Sequence, residues 1–288
     1  MSQNPQGAVL ITGVHGQLGR AVAAACQARG YEFEGRDIET LDITDPDDVQ
    51  SWLETVRPAA VVNCAAYTAV DDCETDEAAA LAVNATAVGY LAAACNRVGA
   101  KLVQISTDYV FAGDGYRPYR EDDPVAPVNA YGRTKLRGEE FAREAHRHLV
   151  LRTAWLYGHG GRNFVETIRS QIEGGAQSIR VVADQRGCPT SCEDIATVIL
   201  DLVAGSASGV FHAVNTGETT WHGFAVAIAG ILGALIEIVP VTTSEFPRPA
   251  PRPPYSVLDT TRVATVLGRP MPHWKDALTR YLEAPCGS

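Results

Sequence analysis

Short apolar runs alternate with amphipathic stretches along the first third of the chain. Residues 8–12 (Ala-Val-Leu-Ile-Thr) read as a buried strand, and residues 17–29 as a helix ended by Gly30. A second strand follows over 31–36. Asp45-Pro46 has the form of an N-cap with proline at the first helical position. Val49, Trp52, Leu53 and Val56 then recur at i, i+3, i+4 and i+7, one apolar stripe, until Arg57-Pro58 stops the helix. Residues 59–65 give a third strand, 77–98 a long helix closed by Gly99, and 101–106 a fourth strand. Strands separated by helices of this length need parallel pairing and right-handed crossovers. The predicted class is therefore α/β, a Rossmann-type doubly wound parallel sheet. Ligands of such sheets sit beyond the carboxyl ends of the strands. Gly13, residues 64–67 and residues 106–108 all fall there.

Beyond Trp155 the rhythm loosens. Short strands are expected near 179–182, 209–214 and 236–241. Helices are expected near 164–173, 193–203, 221–232, 261–267 and 273–282. Phe246-Pro-Arg-Pro-Ala-Pro-Arg-Pro-Pro254 is a stiff extended segment, with a linker or a recognition peptide as its alternatives. The expected organisation is a dinucleotide-binding domain over 1–152, with 178–216 adding to the same sheet. A smaller C-terminal substrate-binding lobe comes from 153–177 and 217–288.

Composition adds mostly exclusions. At 288 residues, 46% hydrophobic and 20% charged, the chain suits a globular α/β fold with a substantial core. A net charge of −10 without any basic block argues against a nucleic-acid partner. No segment is expected to approach the roughly 20 apolar residues of a membrane span, and the first residues do not resemble a signal peptide. Seven scattered cysteines with no Cys-x-x-Cys pair read as reduced thiols of a cytoplasmic protein. Cys188, Cys192 and the seven histidines offer no metal-ligand spacing, so no metal site is assigned.

The candidate chemistry begins in the turn Thr12-Gly13-Val14-His15-Gly16-Gln17-Leu18-Gly19, after a strand and opening a helix. That context puts backbone N–H groups and a helix N-terminus against a pyrophosphate. At the end of the second strand an acid would take ribose hydroxyls and an arginine a 2′-phosphate. Glu34 and Arg36 both occur there, so NADPH and NADH both stay open, with Arg36 favouring the former. Tyr131 and Lys135 stand one helical turn apart, about 25 positions after Ser106-Thr107. The expected roles are a phenol that protonates a carbonyl oxygen, an ammonium that lowers the phenol's pKa, and the Thr107 hydroxyl that holds the oxygen. Lys135 also has the reach to bond the nicotinamide ribose.

With these motifs the chain resembles the extended short-chain dehydrogenase/reductase family, and within it the dTDP-4-dehydrorhamnose reductases. The resemblance runs through nearly the whole length. It is carried by the glycine turn, Leu41-Asp42-Ile43-Thr44-Asp45, the stretch from Val62 to Asp71, Asn84-Ala85, the stretch from Ser106 to Phe111, and Tyr131-Gly-x-x-Lys135. Arg152-Thr153-Ala154-Trp155, Asp184-Gln185-Arg186-Gly187-Cys188-Pro189-Thr190 and Arg252-Pro253-Pro254-Tyr255-Ser256-x-Leu258 extend it. The resemblance implies reduction at C4 of a dTDP-4-keto-6-deoxyhexose, giving dTDP-L-rhamnose. It implies that Thr107, Tyr131 and Lys135 are catalytic. Gly13, Gly16, Gln17, Leu18, Arg36, Asp42, Ile43, Ala65, Ala66 and Tyr67 would join Tyr131 and Lys135 around the cofactor, with Asp42-Ile43 flanking the adenine. Asp108, Tyr109, Trp155 and Arg252 would face the dTDP-sugar, the proline-locked Arg252 suiting its diphosphate. A homodimer is compatible with the resemblance; no glutamates are assigned as bridging metal ligands.

One departure from wider relatives is informative. Sugar-nucleotide dehydratases of this superfamily carry Asp-Glu after the catalytic threonine, whereas here Thr107 precedes Asp108-Tyr109. The implied enzyme reduces and does not dehydrate. The rival readings are a sister dTDP-4-keto sugar reductase of antibiotic deoxysugar synthesis, such as dihydrostreptose, and a non-catalytic subunit like the regulatory subunit of methionine adenosyltransferase. Intact Thr107, Tyr131 and Lys135 argue against the latter.

Overall fold

The computed structural model describes residues 7–284. In chain order its elements are β1 (Val9–Thr12), α1 (Gln17–Arg29), β2 (Phe33–Arg36), α2 (Pro46–Val56), β3 (Ala60–Asn63), α3 (Glu77–Leu81), α4 (Ala87–Val98), β4 (Lys101–Thr107), α5 (Ala130–Ala142) and β5 (His148–Thr153). Then come β6 (Leu156–Tyr157), α6 (Phe164–Glu173), β7 (Ser178–Val182), β8 (Arg186–Gly187), β9 (Thr190–Ser191), α7 (Cys192–Ala204) and β10 (Gly209–His212). β11 (Thr219–Thr220), α8 (Trp221–Ile231), β12 (Glu237–Val241), α9 (Thr261–Leu267) and α10 (Trp274–Glu283) complete the chain.

Six strands form one sheet in the order β10-β5-β4-β3-β1-β2, every pair parallel. The chain leaves β1 for β2 on one side and crosses to β3 on the other. The crevice therefore opens between the carboxyl ends of β1 and β3, where the strand order reverses. Both faces are covered, and successive strand residues go to opposite cores. Val9, Ile11, Val62, Val103 and Leu151 pack with α1 and α7, while Leu10, Val61, Leu102 and Val150 pack with α2 and α4.

The local signals act as the residue chemistry requires. Asp45 caps α2 by accepting from the N–H groups of Asp47 and Asp48, at 2.9 and 3.2 Å. Gly30 and Gly99 close α1 and α4 in the left-handed region. Of the segment 178–216, β10 joins the large sheet, whereas β7 pairs with β12 in a separate two-stranded sheet. Around that small sheet Val165, Ile179, Val181, Phe224, Trp274 and Leu278 form a core of their own.

Residues 77–98 differ from the expectation in two ways. The stretch is interrupted by a π-helical turn at Ala82–Thr86, so that Asn84 faces Tyr67 and Thr134. It is also long and apolar enough to cross a membrane by length and composition, which corrects the reading that no segment approaches this. Its alanines raise the hydropathy because small residues are what close helix packing requires. Half of its most apolar window is buried, against α2, α5 and the sheet.

Gly138 on α5 is one position where side-chain absence is obligatory, because a Cβ there would overlap the Asn84 carbonyl oxygen. Gly138→Ala should destabilise the protein by at least ~2 kcal/mol, as overpacking against backbone does. Urea unfolding with an unchanged midpoint would contradict this.

Candidate active site

The turn after β1 is built by close approach. Gly13 has φ +62°, and a Cβ on it would lie 2.8 Å from the Ala65 nitrogen. A Cβ on Gly19 would overlap the Gly13 carbonyl. Gly16 caps α1 without any side-chain hydrogen bond, and the first turn carries no acid. Asp45, Asn129, Asn163, Ser191 and Thr220, by contrast, cap their helices with side chains. The N–H groups opening α1 are thus available to an anion. A cleft of about 620 Å³ runs from this turn. Gly13, Gly16, Gln17, Leu18, Arg36, Asp42, Ile43, Ala65 and Ala66 all line it, as do Thr107, Asp108, Tyr131, Lys135 and Trp155.

At one end Arg36 stacks over Trp52, 5.0 Å from the ring centroid, and its Nε donates to Glu34 at 2.9 Å. Trp52 Nε1 donates to the same Glu34 carboxylate at 2.7 Å. Glu34 therefore orients Arg36, and Arg36 is the one of the two that lines the cleft. Asp42 turns its carboxylate to the backbone and hydroxyl of Thr44, bonds that hold its pKa below the usual range. Asp37 and Thr44 also line this end. Neither is signalled by sequence alone, since each reads as an ordinary turn residue.

At the other end Thr107, Tyr131 and Lys135 come together at the mouth of β4 and the start of α5. Asn129 caps α5 through Gly132 N at 2.8 Å, placing Tyr131 in the first turn. Thr107 Oγ1 donates to Asp108 Oδ1 at 3.0 Å and accepts from Tyr109 N at 3.1 Å. The phenol of Tyr131, half-buried in the cleft wall, is desolvated there, which pushes its pKa up. The Asp108 charge adds to this, and a hydrogen bond with Thr107 opposes it. Lys135 is buried, which lowers its pKa to about 8 against the pull of Glu139 and Cys64. Its Nζ donates to Ile105 O at 2.6 Å. The expectation that Lys135 lowers the phenol's pKa is corrected here: desolvation dominates both groups, and the ammonium is turned to a backbone carbonyl.

Beneath them lies Glu139, fully buried on the same face of α5 as Lys135. Its Oε1 accepts from Ser106 Oγ at 2.6 Å and from Arg152 Nε at 2.8 Å. Its Oε2 accepts from Arg152 Nη2 at 2.8 Å and Arg143 Nη2 at 3.0 Å. Ser106 and Arg152 are register partners on β4 and β5, so one carboxylate ties a helix to two strands.

Tyr109 and Arg252 do not line this cleft. They line a second cavity of about 850 Å³ with Asp71, Arg180, Gln185 and Trp221. The two cavities abut through aromatic pairs: Trp155 stacks on Trp221 at 3.6 Å, and Tyr109 meets the Tyr131 ring edge-on at 5.8 Å. Trp155 holds a left-handed backbone, φ 47°, and its indole leaves room for no Cβ at Gly187. Arg252 pairs with Asp71, and Ala250 N donates to the same carboxylate at 3.1 Å. Asn129 Nδ2 donates to Pro251 O at 2.8 Å, so the proline segment is docked along the site rather than free as a linker. Tyr67 stands outside the cleft lining. It packs with Tyr131 around Cys73, Ala80 and Ala130.

This arrangement has known counterparts. A family model described as the RmlD substrate binding domain matches residues 7–285. A dTDP-4-dehydrorhamnose reductase of Streptomyces griseus is 44% identical across 100% of this chain and 97% of its own length. The chain belongs to the dTDP-4-dehydrorhamnose reductase family. A probable dTDP-4,6-dihydroxy-2-methyloxan-3-one 4-ketoreductase of Streptomyces antibioticus is 46% identical over 93% of this chain and 92% of that protein. Among solved structures, the dTDP-4-dehydrorhamnose reductase of Bacillus anthracis in complex with NADP superposes with a TM-score of 0.93. It is 39% identical and covers 96% of this chain and 98% of its own.

Two outcomes follow from the buried charges. Glu139→Ala leaves Arg152 buried without its anion and should cost ~3–5 kcal/mol in chemical denaturation. Arg143→Ala, removing a half-exposed partner of the same carboxylate, should cost no more than ~1 kcal/mol; equal losses would contradict the assignment. Burial also raises the Asp108 pKa from its usual 3.8 to about 6, opposed by Ser256 and Thr107. Between those values the folded protein holds a proton that the unfolded chain has lost, so stability falls as pH rises through this window. Asp108→Asn should flatten that fall when melting temperatures are compared from pH 4 to pH 7; an unchanged slope would rule Asp108 out as its source.

Proposed function

We propose that this protein reduces the C4 ketone of a dTDP-4-keto-6-deoxyhexose, converting dTDP-4-dehydro-L-rhamnose to dTDP-L-rhamnose with NADPH or NADH. The observation that carries the reading is the convergence of Thr107, Tyr131 and Lys135 on the cleft that begins at the glycine turn. The second cavity, which holds Arg252, abuts that point. The bound dinucleotide supplies a hydride to C4. Negative charge then builds on the C4 oxygen, where the Thr107 hydroxyl holds it and the Tyr131 phenol gives up its proton. Desolvation keeps that phenol protonated near neutrality, which is the form that reduction needs. Lys135 remains cationic at pH 7, and from its anchor on Ile105 O it would bond the nicotinamide ribose, while solvent returns a proton to the Tyr131 phenolate left behind.

The substrate's diphosphate is assigned to Arg252, which must exchange or share Asp71 as its partner. Asp108 and Trp155 face the sugar, and Tyr109 occupies the place after Asp108 where a dehydratase has its glutamate. Arg36 takes the 2′-phosphate of NADPH. Its bond to Glu34 would give it a partner when NADH, which lacks that phosphate, is bound instead. The division of labour that fits these placements is a dinucleotide domain around the large sheet and a substrate lobe around β7, β12 and α8. A cytoplasmic enzyme suits a nucleotide-sugar substrate. The 46% identity with the Streptomyces antibioticus ketoreductase supports a second reading, a sister reductase acting on another dTDP-4-keto sugar.

Oxidation of NADPH with the keto sugar should fall at least ~100-fold in kcat for Tyr131→Phe, the scale of acid–base catalysis. A fully active variant would remove Tyr131 from the reaction. Incubation with dTDP-glucose and a nicotinamide dinucleotide should yield no 4-keto product, and NMR of the reduced sugar decides between the two substrates.

A further inference from the structure

The loop His159-Gly160-Gly161-Arg162-Asn163, contributed from outside the first 152 residues, is fastened to the start of α1 by one side chain. Gln17 Oε1 accepts from Gly158 N and Asn163 Nδ2, both at 2.9 Å, and Gln17 Nε2 donates to Arg162 O at 3.1 Å. Two glycines permit this closeness. Gly160 has φ +83°, and a Cβ there would meet Arg20 at 2.6 Å; a Cβ on Gly161 would meet Gln17 at 2.7 Å. The next residue, Arg162, lines the cleft together with Gly13, Gly16 and Gln17. Its side chain is exposed and has no ion-pair or hydrogen-bond partner among the described residues. Arg20, the other cation at this corner, turns its Nε to His15 O at 2.8 Å and does not line the cleft.

We propose that Arg162 is a cofactor-binding residue, a guanidinium held over the uncapped N-terminus of α1 to take the pyrophosphate common to NADPH and NADH. This rests on the reductase reading above and adds to it a clamp across the cleft. The α1 N–H groups approach a pyrophosphate from the sheet side with partial charge, and Arg162 completes the cage with a full charge and a two-pronged donor. The 2′-phosphate end belongs to Arg36, at the end of β2, so the two arginines separate by what they discriminate. Because Gln17 grips the backbone of Arg162 rather than its side chain, the guanidinium keeps its donors for the ligand.

Fluorescence titration of NADPH and of NADH, without any sugar, tests this on the wild type, Arg162→Ala and Arg162→Lys. Arg162→Ala should raise both dissociation constants by a similar factor, about 10-fold, the worth of one charge-assisted contact at a partly exposed site. Arg162→Lys should recover part of the loss, and the wild-type affinity should fall more steeply with salt than that of Arg162→Ala. Unchanged constants in Arg162→Ala, while the wild type binds both dinucleotides, would overturn the clamp and leave the reductase reading standing. A loss confined to NADPH would also overturn it, placing Arg162 at the 2′-phosphate. A wild type that binds neither dinucleotide would overturn both.

Discussion

A single buried carboxylate holds the reacting end of this molecule together. Glu139 accepts from Ser106, Arg152 and Arg143 and lies one turn beyond Lys135 on α5. Burying an anion is costly unless every lone pair is used, and here both oxygens accept twice. The consequence is geometric. α5 cannot slide along β4 or β5 without stranding a charge, so Tyr131 and Lys135 keep their distance from Thr107. Lys135 adds a second tie through Ile105 O, and Gly138 lets the helix close on Asn84. Thr107, itself at the last position of β4, is thereby held by a network centred on Glu139, which does not line the cleft.

The same design separates binding from chemistry. The glycine turn, Gly13 above all, brings backbone rather than side chains to the dinucleotide end, while Arg36 and Asp37 line the far end. The two cavities meet at Trp155 and Trp221 on one side and Tyr131 and Tyr109 on the other. Flat rings at a junction exclude water from a developing oxyanion without adding a charge that would compete with it. Trp155 reaches its place only by adopting a left-handed backbone against Gly187, and that strain is stored where the two cavities meet.

Much of this was legible in the sequence because local rules governed it. The strand runs, the Asp45 cap, the Gly30 and Gly99 stops and the glycine turn are short-range effects, and the elements lie where those residues put them. What was not legible depends on distant partners. The π-turn at Asn84 exists to satisfy Tyr67 and Thr134, 17 and 50 positions away. β7 looked like another strand of the large sheet, but its partner β12 lies far along the chain, and pairing is not written in either segment alone. The lysine–phenol relation is not legible in the sequence, because spacing reveals which face residues share but not how dry that face is. Arg162 carried no signal by itself; only the grip of Gln17, 145 positions earlier, brings it to the cleft.

The chemistry proposed for this architecture makes one assertion about atoms: a hydride from the nicotinamide ring arrives at C4 of the sugar. Reduction with dinucleotide deuterated at the transferable position of that ring, followed by mass and NMR analysis of the dTDP-sugar, measures it directly. One deuterium bound to C4, with none elsewhere on the hexose, is the predicted result. An unlabelled product, or label at another carbon, would contradict the account.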